Sequence, residues 1–355
     1  MRPKRLLFIV TSIVLGVGVA LAASALVLAR RHPPKLSKAD RLRQEAELVR
    51  RLKGLYVYDD ATSYRLKPLF HGFRWGTYDI HETNSRGLLG SAEIDPSRDV
   101  QKAVFLGDSV TYGDAVALDK VFVTLMQGMA GPGWQLLNAG TPGWSTHQEL
   151  RYFDRYLWDV NWRAVVIVFC LNDLVKFEWD WGGEGELHMT DEIAQLDGLR
   201  GLTARTAKGL ELMSLRNSFR SQPATAALAD LNSATLRAWS PADWKTYADG
   251  TLVPWLQTRG SVPVMIVIAP VRDQVKALAL GAPRERVLFP QRQLQAICEH
   301  NRITCVDPID ALRAAGTVQE ADELFRDDLH LSEAGHRALA AILWPQLQVF
   351  VSRVS

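Results

Sequence analysis

A serine just past a short apolar run, and a histidine three residues after an aspartate near the other end of the chain, are the residue types of nucleophilic acyl chemistry. The serine is Ser109, in Gly107-Asp108-Ser109, and the pair is Asp327 and His330, in Asp327-Asp328-Leu329-His330. A serine hydroxyl is a poor nucleophile until a base takes its proton, and imidazole titrates in the right range to do so. The imidazole in turn needs an acceptor on its other ring nitrogen, and a carboxylate three positions earlier reaches it across one tight turn. A tetrahedral intermediate then needs hydrogen-bond donors at its oxyanion. Three are available: the backbone N–H of Ser109, the backbone N–H of Gly143 in Asn138-x4-Gly143, and the side-chain amide of Asn172 in Cys170-Leu171-Asn172-Asp173. Losing one such donor costs about 3 kcal/mol in the barrier.

Each of these motifs has a plain structural reading when taken singly. Ser109 reads as a turn serine and Asp327-x-x-His330 as a helix cap; only their combination points to catalysis. Asp108 reads as a carboxylate that accepts loop N–H bonds, and Asp173 as one that shapes the Asn172 loop. Gly140 reads as a turn glycine, His336 as part of the last helix's packed face, and His147 and His188 as exposed loop residues.

Positioning such groups requires elements that deliver them to one edge. Strand-like apolar runs occur at 103–106, 134–138, 164–170, 262–269 and 303–306, and helical patterns fill 116–129, 146–158, 239–258, 290–300 and 333–351. Strands alternating with helices predict a three-layer α/β/α domain on about five parallel strands. In such a sheet reactive groups gather outside the carboxyl ends of the strands. Ser109, Gly143 and Asn172 each follow one of these runs, and His330 precedes the last helix. The stretch from Val175 to Ser240 breaks the rhythm and reads as an insertion over the site. Ahead of the domain, residues 55–93 hold Tyr56, Tyr58, Tyr64, Phe70, Phe73, Trp75 and Tyr78 among turn residues, which predicts short strands packed on the main domain.

The first 31 residues differ from the rest. Leu6 to Ala29 carries no charge, and at about 1.5 Å per residue it spans roughly 36 Å, enough to cross a bilayer. Ala20-Leu21-Ala22 fits a signal-peptide cleavage site, but the apolar stretch runs on past it, which favours an uncleaved membrane anchor. Basic residues flank both ends (Arg2, Lys4 and Arg5 before; Arg30, Arg31 and Lys35 after), so the positive-inside count does not orient it. Residues 32–98 then read as a juxtamembrane stalk, helical over 37–52, followed by the aromatic extension, with the α/β domain over 99–355.

Composition excludes several classes. The 355 residues are 47% hydrophobic and 23% charged, with 41 basic and 39 acidic side chains mixed along the chain, so neither disorder nor a nucleic-acid partner is indicated. Three cysteines with no Cys-x-x-Cys pair exclude a disulfide scaffold and a zinc ribbon. Cys298 and Cys305 are spaced to allow a disulfide, but two buried free thiols are the expectation. The chemistry above calls for no cofactor, and no set of residues has metal-ligand spacing.

The four blocks resemble those of the SGNH/GDSL serine hydrolases, a family of esterases and acyltransferases. Gly107-Asp108-Ser109 is similar to the first block, Gly143 falls at the second block's glycine, Asn172-Asp173 is similar to the third, and Asp327-x-x-His330 to the last. The resemblance implies a flavodoxin-like α/β fold, Ser109 as nucleophile, His330 as base and Asp327 as its orienting acid. It also implies an oxyanion hole from Ser109, Gly143 and Asn172. The aromatic lead and Asn84-Ser85-Arg86-Gly87 resemble the front extension of membrane-anchored bacterial members, which suggests an acylated envelope glycan or a lipid as the ester substrate. O-acyl transfer and a non-catalytic assembly role are the alternatives. The third block departs from the pattern by having Cys170 where the family has glycine, which is expected to narrow the oxyanion side of the site. Trp179 and Trp181 of the insertion read either as cap packing or as an aromatic wall for a sugar or acyl chain.

Overall fold

A computed structural model describes residues 55–75, 78–174, 240–259, 262–313, 322–327 and 329–354, with the backbone alone for Trp75, Tyr78 and Asn172. The membrane-anchor stretch Leu6–Ala29, the stalk helix, almost all of the insertion with Trp179 and Trp181, and His188 lie outside the described residues. Among those described, no helix is long and apolar enough to cross a membrane.

Five parallel strands form the central sheet: β5 (Gln101–Gly107), β6 (Trp134–Gly140), β7 (Ala164–Phe169), β8 (Val264–Ile268) and β9 (Thr304–Val306), in the order β6-β5-β7-β8-β9. Their apolar runs are buried on both faces, and successive side chains turn to opposite sides. Ala103, Phe105, Val166, Val168, Met265 and Val267 enter one core, whereas Val104, Leu106, Val165, Ile167, Ile266 and Ile268 enter the other. The first core is closed by α2 (Phe122–Ala130), α6 (Arg272–Ala279), α9 (Ile309–Arg313) and α10 (Glu333–Arg353). The second is closed by α3 (Thr146–Tyr152) with its π-helical continuation to Leu157, by α4 (Pro241–Tyr247) and α5 (Val253–Thr258), and by α8 (Phe289–Asn301). This is the three-layer α/β/α arrangement expected from the alternating pattern, and the strand order is that of flavodoxin-like sheets. Three short helices, α6, α7 (Arg284–Val287) and α9, fall where the pattern indicated none.

The aromatic lead forms two antiparallel hairpins, β1 (Tyr56–Asp59) with β2 (Ser63–Leu66) and β3 (Phe73–Trp75) with β4 (Tyr78–Ile80). Leu89 then bridges Asn138 of the edge strand β6, its N–H donating to the Asn138 carbonyl at 2.9 Å. The extension thus covers an edge that would otherwise be open to pairing. The expectation of two free thiols is corrected: Cys298 at the end of α8 and Cys305 in β9 form a disulfide, with their Cα atoms 6.1 Å apart. Helix, tight turn and edge strand bring the two together within bridging range. Cys170 is buried and takes no part in a disulfide.

Candidate active site

Strand register brings the three loops together. Gly107 at the end of β5 pairs with Gly140 of β6 on one side and Val168 of β7 on the other. Ser109 therefore emerges two residues past one strand end, Gly143 three past its neighbour, and Asn172 four past the other neighbour's Val168. This is the point between the first and third strands of the sheet where a flavodoxin-like strand order reverses.

The turn carrying Ser109 is held from beneath. The Asp108 carboxylate is wholly buried and accepts the Val110 N–H at 2.9 Å, so α1 (Ser109–Tyr112) starts at Ser109. Gly107 leaves room for Thr111, whose Oγ1 would lie 2.0 Å from a Cβ there. Gly140 lets the Tyr112 backbone approach; a Cβ at 140 would meet its nitrogen at 2.3 Å. The Asn138 amide ties the loops by donating to the Thr111 carbonyl at 2.7 Å, and the Thr141 N–H donates to the Gly107 carbonyl at 3.0 Å.

From the far end of the chain comes the base. The Asp327 Oδ1 accepts the backbone N–H groups of His330 at 2.8 Å and Leu329 at 3.0 Å, which shapes the turn before α10. Its Oδ2 lies 2.9 Å from His330 Nδ1, and His330 Nε2 lies 2.8 Å from Ser109 Oγ, across 221 positions of sequence. With a carboxylate at Nδ1, the tautomer is Nδ1–H, and Nε2 accepts the serine proton. Burial pushes His330 down, but its bond to Asp327 and that group's charge outweigh burial, so the imidazole sits above its ordinary value. Burial likewise pushes Asp327 up, yet the His330 bond and charge and the two backbone N–H groups hold it well below the usual carboxylate range.

The oxyanion candidates divide. The backbone N–H groups of Ser109 and Gly143 donate to no acceptor among the described residues. Gly143 has φ +81°, a left-handed conformation that suits glycine. The Asn172 backbone lies in a short 3₁₀ turn, Leu171–Leu174, directly after β7, and the neighbouring Asp173 Oδ2 accepts the Cys170 N–H at 2.9 Å, shaping this loop as expected. Cys170 is fully buried in the core against β5 and β8, so its bulk goes into the core. The aromatic wall and cap, Trp179 and Trp181, lie outside the described residues.

Of the remaining histidines, His336 is buried, stacks on Phe122 with ring centroids 5.9 Å apart, and accepts the Phe122 N–H on Nδ1. Burial pushes it down to about 4, so it stays neutral and structural. His147 is corrected from an exposed loop residue to a half-buried one on α3.

A buried acid cluster went unnoticed in the sequence. Glu149 of α3 is 0% exposed, and neither of its carboxylate oxygens has a hydrogen-bond partner among the described residues. Burial and the charge of Asp108 raise it well above the usual range. Burial, Glu149 and Asp108 do the same to Asp173. Three carboxyls thus lie close together at the nucleophile turn, where burial and mutual repulsion favour the protonated forms of Glu149 and Asp173. The only signal in sequence is a glutamate on the inward side of an amphipathic helix.

The sequence profile of the GDSL-like lipase/acylhydrolase family matches residues 105–338, well over half of the 355. The chain belongs to that family. It is accordingly a serine hydrolase of ester bonds. No curated protein matches it in sequence. Among solved structures it is similar to a G-D-S-L lipolytic protein of Veillonella parvula DSM 2008 (16% identity, TM-score 0.39, 68% of this chain and 95% of that one). It is similar also to a lipase/acylhydrolase of Enterococcus faecalis (17%, 0.39, 70% and 96%) and to an acetyl xylan esterase (16%, 0.40, 69% and 98%). The family match begins at β5, so both hairpins of the extension precede it.

Proposed function

We propose that Ser109 is the nucleophile of an esterase that removes acyl groups from an envelope glycan or a lipid. His330 Nε2 takes the Oγ proton as Oγ attacks the ester carbonyl, and the negative oxygen is met by the N–H groups of Ser109 and Gly143 and by the Asn172 amide. The intermediate collapses, the C–O bond to the alcohol breaks, and the proton on His330 goes to the departing alcohol. Water then attacks the acyl-serine, gives its proton to Nε2, and releases the acid and the free serine. Asp327 holds the imidazole in the needed tautomer and stabilises its cationic form. No step requires a metal or cofactor.

The observation that carries this reading is the unbroken line from Asp327 Oδ2 through His330 to Ser109 Oγ, with bonds of 2.9 and 2.8 Å, beside two backbone N–H groups with no acceptor among the described residues. The envelope placement is part of the proposal: Leu6–Ala29 anchors the chain, and the domain faces outward. The Cys298–Cys305 disulfide supports an oxidising compartment. The test is hydrolysis of p-nitrophenyl acetate and longer p-nitrophenyl esters by the purified chain beside Ser109→Ala. Turnover by wild type and none by the variant supports the reading; equal rates refute it.

A further inference from the structure

The Gly143 N–H counts as an oxyanion donor only if its peptide plane points the right way, and one side chain from outside the family match governs that plane. Tyr64, on β2 of the first hairpin, is 4% exposed and donates its hydroxyl to the Pro142 carbonyl at 2.8 Å, across 78 positions of sequence. A trans peptide has its C=O and N–H antiparallel. Fixing the Pro142 oxygen towards the phenol therefore turns the Gly143 N–H away from Tyr64. The alternative, a flipped plane, would present a carbonyl to the intermediate's negative oxygen. Because Gly143 has no Cβ and already adopts φ +81°, the plane has little intrinsic resistance to flipping. A Cβ there would lie 2.7 Å from the Tyr64 hydroxyl, so the phenol also occupies the space behind the glycine.

The hairpin is braced to hold that phenol still. The Tyr64 carbonyl accepts the Trp144 indole N–H at 3.0 Å, and the Thr62 carbonyl accepts the Gln148 amide at 2.9 Å. The Tyr64 ring packs edge-on against Tyr56, with centroids 5.4 Å apart, and lies 6.4 Å from the Trp144 ring. Burial, with the charge of Asp108, also keeps the phenol protonated, so it remains a donor wherever His330 is active.

We infer that Tyr64 is a positioning residue for catalysis, and that the front hairpin completes the oxyanion hole by locking the Pro142–Gly143 peptide. The inference rests on the acyl-serine reading above. It predicts a kcat effect without a binding effect, because the donor matters only once negative charge has formed.

The test uses the full chain and p-nitrophenyl acetate. Removing an oxyanion donor outright costs about 10²–10³ in kcat. Tyr64→Phe, which frees the donor to misorient, is expected to lower kcat roughly 10- to 100-fold with KM within about twofold. Affinity for a trifluoromethyl ketone, whose serine adduct carries the same oxyanion, falls in parallel. Arg151→Met cuts an exposed bond to the Ala61 carbonyl at the hairpin turn (3.2 Å) but leaves the Tyr64–Pro142 bond and its braces in place; it should lower Tm while kcat stays near wild type. Tyr64→p-aminophenylalanine restores a donor and should recover kcat. Equal kcat losses in Tyr64→Phe and Arg151→Met would mean general loosening and overturn the inference. So would a Tyr64→Phe enzyme as fast as a wild type that Ser109→Ala silences, and that result leaves the acyl-serine reading standing. A wild type no faster than Ser109→Ala overturns both.

Discussion

Asp327→Asn is a sharp perturbation because only one of the two carboxylate oxygens holds the backbone of the turn. Oδ1 accepts two backbone N–H groups, from His330 at 2.8 Å and Leu329 at 3.0 Å, and lies 3.1 Å from His330 Nδ1, while Oδ2 makes the shorter contact with Nδ1 at 2.9 Å. An asparagine has one acceptor and one donor end. The two N–H groups fix the amide oxygen at the Oδ1 place, so its NH₂ takes the Oδ2 place, the nearer of the two to Nδ1. Nδ1 then becomes the acceptor, the ring proton moves to Nε2, and the nitrogen 2.8 Å from Ser109 Oγ has no lone pair to take the serine's proton. A base in the wrong tautomer costs about 10⁴ in kcat, or about 5.4 kcal/mol of barrier. Since both turn-shaping bonds survive, stability should change by less than about 1 kcal/mol. Asp327→Ala strips those acceptors too and should lose a further 1–2 kcal/mol, roughly, of stability. The assay is steady-state hydrolysis of p-nitrophenyl acetate with a thermal melt of each variant. An Asp327→Asn enzyme within about tenfold of wild-type kcat would refute the tautomer argument.

The pH profile offers a second check. His330 must be neutral to act, and Asp327 raises it despite burial, so the acid limb of kcat/KM should have its midpoint above the ordinary imidazole value of about 6.5. A midpoint below that value would contradict the charge balance at the site. The buried acid cluster gives a third. Glu149 is raised in the folded chain, so between about pH 4.3, its ordinary value, and its raised folded value the folded state binds the extra proton. Stability contributed by that proton is full below about pH 4.3 and is lost as pH rises through the folded value. Glu149→Gln removes the dependence, and its Tm advantage over wild type should grow from about pH 5 to pH 8; a constant gap would refute the raised carboxyl. Replacing both Cys298 and Cys305 by alanine opens a loop with a sequence separation of 7 and should cost about 2.5 kcal/mol of stability. Because β9 is the sheet edge farthest from β6, kcat should be unaffected, and a large fall in kcat would contradict that separation.

The sheet was legible because its signal is local: each apolar run is bounded by turn residues, and all five runs are strands within a few residues of the expected ends. The meeting of Ser109 with His330 was expected only from the rule that α/β sheets gather their reactive loops at one edge and from the family resemblance, while the strand order came from the structure. Tyr64 and Glu149 were not legible as site residues. Tyr64 is one tyrosine among several in the lead, and its role comes from a contact with Pro142 that no periodicity encodes. Glu149 sits at helical spacing like a solvated charge, yet it is fully buried. The disulfide was misjudged because eight residues of helix end, turn and strand permit either outcome until the backbone is known. Helix α6 was missed because part of its inward face is polar: Gln274 is fully buried and pairs amide to amide with Gln291.

The most direct measurement of the central claim is rapid quenching of the enzyme with p-nitrophenyl acetate, followed by mass spectrometry of the peptide that contains Ser109. The account predicts one acetyl group on that serine, formed in a burst of p-nitrophenol and absent in Ser109→Ala. Turnover with no acyl group on Ser109, or with the acyl group on another residue, would contradict it.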